Sequence, residues 1–81
     1  MYIWELTIRE ITENDWIFSA ENDNGCYFEI ESPELGAGIH RIVNIILCDC
    51  PCATVYVTDL TRNYDYVRSI LEKKQVPFEL C

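Results

Sequence analysis

Tyr2-Ile3-Trp4-Glu5-Leu6-Thr7-Ile8-Arg9-Glu10-Ile11 alternates apolar and polar side chains with a period of two. Tyr2, Trp4, Leu6 and Ile8 fall on one side, and Glu5, Thr7 and Arg9 on the other, which is the signature of a half-buried strand. Thr12-Glu13-Asn14-Asp15 follows as a turn. The alternation then resumes: Trp16, Phe18 and Ala20 share a face opposite Ile17, Ser19 and Glu21. Asn22-Asp23-Asn24-Gly25 is a hairpin signal, because Asn and Gly tolerate positive φ. Beyond it Cys26, Phe28 and Ile30 extend the apolar face, and Tyr27, Glu29 and Glu31 the polar one. Residues 2–31 therefore predict a three-stranded antiparallel meander with one apolar and one acidic face.

The pattern changes at Ser32-Pro33-Glu34, which reads as a helix start: Ser as N-cap, Pro at the first helical position and an acid in the first turn. Leu35, Ile39, Ile42, Val43 and Ile46 recur at helical spacing as one broad stripe. Gly36 and Gly38 weaken the first turn, so the helix is expected to begin nearer Ile39. Cys50 should face the stripe and Cys48 point away, with Pro51 ending the helix. Ala53-Thr54-Val55-Tyr56-Val57-Thr58 is β-branched and aromatic, a fourth strand.

Leu60, Tyr64, Val67, Ile70 and Leu71 mark a second helix, capped near Thr61 or Asn63, with Lys73 and Lys74 at its negative pole. Val76-Pro77-Phe78-Glu79-Leu80-Cys81 is a short last strand. The fourth and fifth strands should be parallel across a right-handed crossover. The fold class expected is α+β: the meander followed by α-β-α-β, giving a mixed five-stranded sheet with two helices packed on one face.

Eighty-one residues make one domain, 1–81, with a thin core. A composition 49% hydrophobic and 12% aromatic nevertheless argues against disorder. No apolar run approaches the ~20 residues that span a bilayer. The start, Met1-Tyr2-Ile3-Trp4-Glu5, has no basic and apolar leader pattern, so a cytoplasmic protein is expected.

The net charge of −8 is distributed unevenly. Residues 1–34 hold nine acids (Glu5, Glu10, Glu13, Asp15, Glu21, Asp23, Glu29, Glu31 and Glu34) and a single base, Arg9. Residues 35–81 hold five of each sign. Direct binding to nucleic acid or an anionic membrane is disfavoured, because both need Lys and Arg to neutralise phosphates. A one-sided negative field instead favours encounter with a basic protein surface.

Five cysteines, an odd number, do not suggest a disulfide framework. Cys48-Asp49-Cys50-Pro51-Cys52 has C-x-C-x-C spacing rather than the C-x2-C pairs of structural zinc sites. His40 would stand about 12 Å from Cys48 along a helix, too far to share an ion. Free thiols that pack as small hydrophobes are the leading reading, and neither cofactor nor metal is expected. Gly36-Ala37-Gly38 is no phosphate loop, and Glu29/Glu31 two apart on a strand read as a solvated face. With one histidine and no nucleophile signature, a non-enzymatic role is expected.

Residues 54–81 resemble the opening β-α-β of glutaredoxin-like proteins, in Thr54-Val55-Tyr56, in Leu71-Glu72-Lys73-Lys74 closing the helix, and in Val76-Pro77-Phe78-Glu79. Where that family carries its reactive cysteine pair, this chain has Asp59-Leu60-Thr61-Arg62-Asn63 without a thiol. The resemblance therefore implies a generic β-α-β unit, and no function is carried over from it.

The function expected is an interaction module that occludes a basic, nucleic-acid-binding surface, such as that of a nucleic-acid-processing enzyme. Side chains two apart on a strand repeat at roughly 6.6 Å, twice the ~3.4 Å axial rise between phosphates of one DNA strand. A carboxylate row can thus mimic a nucleic-acid backbone. The partner-binding residues expected are Glu5, Glu13, Asp15, Glu21, Asp23, Glu29 and Glu31, with Ile17 and Tyr27 as desolvated anchors. In size, charge and build the chain resembles small acidic phage-encoded inhibitors, including anti-CRISPR proteins, by class rather than by motif. Two other readings are a metal- or thiol-dependent module built on Cys48, Cys50 and Cys52, and a homodimer through a strand edge or Tyr66.

Overall fold

The computed structural model describes residues 2–58 and 63–80, with Tyr2 described by its backbone alone. Three antiparallel strands come first, β1 (Tyr2–Thr12), β2 (Asp15–Asn22) and β3 (Tyr27–Ser32). Helix α1 (Leu35–Asp49), strand β4 (Ala53–Thr58), helix α2 (Tyr64–Lys73) and strand β5 (Phe78–Leu80) follow. The sheet order is β3-β2-β1-β4-β5. β1 pairs antiparallel with β2 and parallel with β4, and β4 pairs parallel with β5. This is the expected mixed α+β sheet, with β1 as its central strand.

Alternation puts every other strand residue under the helices. Trp4, Leu6 and Ile8 of β1, Phe18 and Ala20 of β2, and Ala53, Val55 and Val57 of β4 are buried in one core. Ile39, Ile42, Val43 and Ile46 of α1 and Val67, Ile70 and Leu71 of α2 close over them. Phe28, Ile30, Phe78 and Leu80 fill the flanks, half-buried. The Trp4 ring meets Phe28 edge-on, with centroids 5.6 Å apart at 62°, a favoured aromatic geometry.

Gly25 turns β2 into β3 at φ 85, and the Asn22 side chain accepts the backbone N–H groups of Asn24 (3.0 Å) and Cys26 (2.9 Å). That loop takes Cys26 out of the strand, so it is exposed rather than part of the apolar face. Helix α1 starts at Leu35, earlier than its glycines suggest and later than Ser32-Pro33 suggest. Ser32 ends β3 buried, and its hydroxyl bonds locally to the Glu34 carbonyl (3.0 Å) and accepts the Glu34 N–H (3.3 Å). Extended Glu34 takes the N-cap position, and its carbonyl accepts the Gly38 N–H at 3.1 Å. Packing requires the glycine at 38, whereas the obstacle at Gly36 is only the far end of an exposed side chain. A Cβ on Gly38 would run into the Phe18 ring, and one on Gly36 into the Tyr66 hydroxyl.

Cys50 is buried and Cys48 exposed, as the helical spacing predicts, and the helix stops before Pro51. Asn63 is the N-cap of α2, in a left-handed conformation and without a side-chain cap bond. Thr61, the other cap expected, and Leu60, expected on the apolar stripe, lie outside the described residues, as does Cys81. Gln75 at φ 58 reverses the chain after α2, so the last strand begins at Phe78 rather than Val76. Among the described residues no helix is long and apolar enough to cross a membrane.

Candidate interaction surface

The helices cover one side of the sheet. The other side carries the alternate residue of each strand, and the register arranges them in rows. The longest row runs Tyr27–Glu21–Glu5–Tyr56–Glu79 across all five strands. A second runs Glu29–Ser19–Thr7–Thr58, and a third Glu31–Ile17–Arg9. Adjacent strands lie about 4.8 Å apart, so five strands spread the long row over about 19 Å. Six carboxylates (Glu5, Asp15, Glu21, Glu29, Glu31 and Glu79) thus share this face with one guanidinium, Arg9.

Local chemistry holds several of these groups. Glu29 Oε2 accepts hydrogen bonds from the Tyr27 hydroxyl (3.0 Å) and from Ser19 Oγ (3.2 Å). The Thr7 and Thr58 hydroxyls bond each other at 3.1 Å, tying β1 to β4. Glu31 meets Asp15 at one end of the face. The hydrogen bond and like charge of Asp15, with Glu29 adding in the same direction, raise the Glu31 carboxyl above its ordinary value of 4.5. Glu5 and Glu21 stand directly opposite each other on β1 and β2. Like charges in that position destabilise a sheet. Among the described residues no lysine or arginine side chain pairs with Glu5, Glu21, Glu29 or Glu31. Four of the described bases, Arg41, Arg68, Lys73 and Lys74, belong instead to the helices and their ends.

Glu5, Ile17, Glu21, Tyr27, Glu29 and Glu31 are therefore brought together, as alternation predicts, and Asp15, read from the sequence as a turn residue, joins them as the first residue of β2. Asp23 is exposed in the turn at the far end of β2. Glu13 does not join them. The β1–β2 turn curls toward the helices, and Glu13 lines a cleft of about 610 Å3 with Trp16, His40, Tyr66 and Lys73. Tyr56 and Glu79 belong to the surface and were not expected there. Their own alternation with Val55, Val57, Phe78 and Leu80 gives their face, but only the pairing of β4 beside β1 brings them into the acidic row.

Among the described residues the thiols form no comparable site. Cys50 is buried, while Cys26, Cys48 and Cys52 are free and exposed. Among the described residues no three His, Cys, Asp or Glu side chains are grouped to hold a metal ion. Neither a protein-family model nor a curated protein matches the chain.

Proposed function

We propose that the chain is a small acidic interaction module whose open sheet face occludes a basic, nucleic-acid-binding surface on a partner protein. The observation that carries this reading is the Glu5–Glu21 pair, opposed across two strands without a countercharge, in a row that continues to Glu79. Folding gains nothing from that arrangement, because it sets like charges side by side. A basic groove would relieve the repulsion. Charge accelerates encounter more than it tightens binding, so affinity must come from groups that can be desolvated. Half-buried Ile17 and Tyr56 and exposed Tyr27 stand among the carboxylates and serve as those anchors. The setting is the cytoplasm, where nucleic-acid enzymes work, and the mode of action is that of small phage-encoded inhibitors such as anti-CRISPR proteins.

The test is affinity capture from the source cell with the wild-type chain and with a Glu5→Lys/Glu29→Lys/Glu31→Lys variant. The expected partner is a nucleic-acid-binding protein that is released by moderate salt, displaced by added duplex, and not captured by the variant. A partner retained by the variant, or indifferent to duplex and salt, overturns the proposal.

A further inference from the structure

The sheet has two edges, and they differ. β5 is three residues long, whereas β3 offers six. The Asn22 N–H bonds the Cys26 carbonyl at 3.0 Å while the Cys26 N–H is taken by the Asn22 side chain at 2.9 Å, so the two residues stand in the position of a hydrogen-bonded pair with one of its two backbone bonds made. Such pairs alternate along an antiparallel ladder. Phe28, Ile30 and Ser32 therefore bond to β2, and Tyr27, Glu29 and Glu31 turn their backbone N–H and C=O groups out to the free edge. One of those groups is taken: the Arg41 guanidinium donates to the Glu31 carbonyl at 3.5 Å. Among the described residues the backbone groups of Tyr27 and Glu29 have no backbone partner across that edge.

We infer that the β3 edge accepts an extended segment of the partner by strand addition, and that this segment alternates Lys or Arg with apolar residues. The inference rests on the proposed function and names the shape of what the acidic face meets. A strand laid beside β3 sends alternate side chains to the open face, next to Glu29 and Glu31, where positive charge is required. Its intervening side chains fall on the covered face beside Phe28 and Ile30, which are only half-buried. Main-chain hydrogen bonds supply affinity, and the alternate side chains supply specificity. A second copy of this chain fits less well, because antiparallel pairing of two β3 edges places Glu29 against Glu29, or Glu31 near acids of the other copy.

The probe is a capped seven-residue peptide alternating Lys and Val, studied by titration and amide exchange on the intact protein. The Tyr27 and Glu29 amides should exchange fast in the free protein and become protected on binding, while the Phe28 and Ile30 amides are protected throughout. Methylating one edge-facing amide of the peptide should weaken binding roughly tenfold, the loss expected for about one net hydrogen bond. Charge is unchanged by that methylation. Equal binding of methylated and unmethylated peptides, or binding that leaves Tyr27 and Glu29 unprotected, overturns strand addition while leaving the acidic face as the interaction surface. A concentration-dependent dimer that protects the same amides without peptide also overturns it. Loss of partner capture on reversing Glu5 and Glu21 tests the underlying function separately.

Discussion

On the helix-covered side of the sheet stand Leu6, Phe18 and Val55, none exposed to solvent; one position along the same strands, on the other side, stand Glu5, Ser19 and Tyr56. Neighbouring residues of one chain thus answer to different demands. The covered side is selected for volume, to the point that α1 gives up a side chain at Gly38 to make room for a ring. The open side tolerates opposed carboxylates that contribute nothing to folding. A surface that departs from what stability asks is what the proposed binding role would require.

The contrast makes unequal predictions for substitutions on the two sides. Phe18→Ala on the covered side should destabilise by about 3–5 kcal/mol, read from chemical denaturation. A loss below ~1 kcal/mol would mean that the ring is not the centre of the core. Gly38→Ala should cost about 1–3 kcal/mol despite the better helix propensity of alanine, because the Phe18 ring is wholly buried and has nowhere to go. Gly36→Ala is the companion measurement. Its obstacle is the far end of the exposed Tyr66 side chain, which can swing away, so that variant should be neutral or gain up to ~1 kcal/mol. Equal losses at the two glycines would contradict the packing described.

On the open side the sign reverses. Glu5→Gln should stabilise the fold by about 0.2–1 kcal/mol in low salt, with the gain shrinking as salt is added. A destabilised Glu5→Gln would show that the carboxylate is held by a favourable contact. The smallest effect concerns pH. Because Glu31 holds its proton more tightly in the fold than in the unfolded chain, its contribution is favourable in acid and is lost as pH rises through its raised value. Glu31→Gln should therefore be more stable than the wild type at neutral pH, and the difference should vanish in acid. A difference that grows on acidification would contradict the Asp15–Glu31 contact.

Alternation alone marks the meander and its two faces, since Trp4, Leu6, Phe18 and Phe28 separate from Glu5, Glu21 and Glu29 by parity. Ala53–Thr58 is equally plain, a β-branched run between two turn-forming segments. What parity does not encode is the strand order: nothing local says that β4 lies beside β1, and so Tyr56 and Glu79 join the acidic row only in the fold. Helix entry is also poorly encoded. Ser32 and Gly38 carry strong local preferences, and both yield to tertiary contacts, one to burial at the end of β3 and the other to Phe18. Glu13 sits in a turn whose direction depends on how β1 leaves the sheet, which alternation does not specify.

The claim that the face matters, and not merely the charge, can be tested by moving the same charge change around the molecule. Glu5→Lys/Glu21→Lys alters the open face, and Asp65→Lys/Glu72→Lys alters exposed positions of α2 by the same net charge. Partner affinity measured for both at one moderate salt concentration should collapse for the first pair and hold within a few-fold for the second. Equal losses would mean that the chain is drawn to its partner by overall charge alone, and that the open sheet face has no special part in binding.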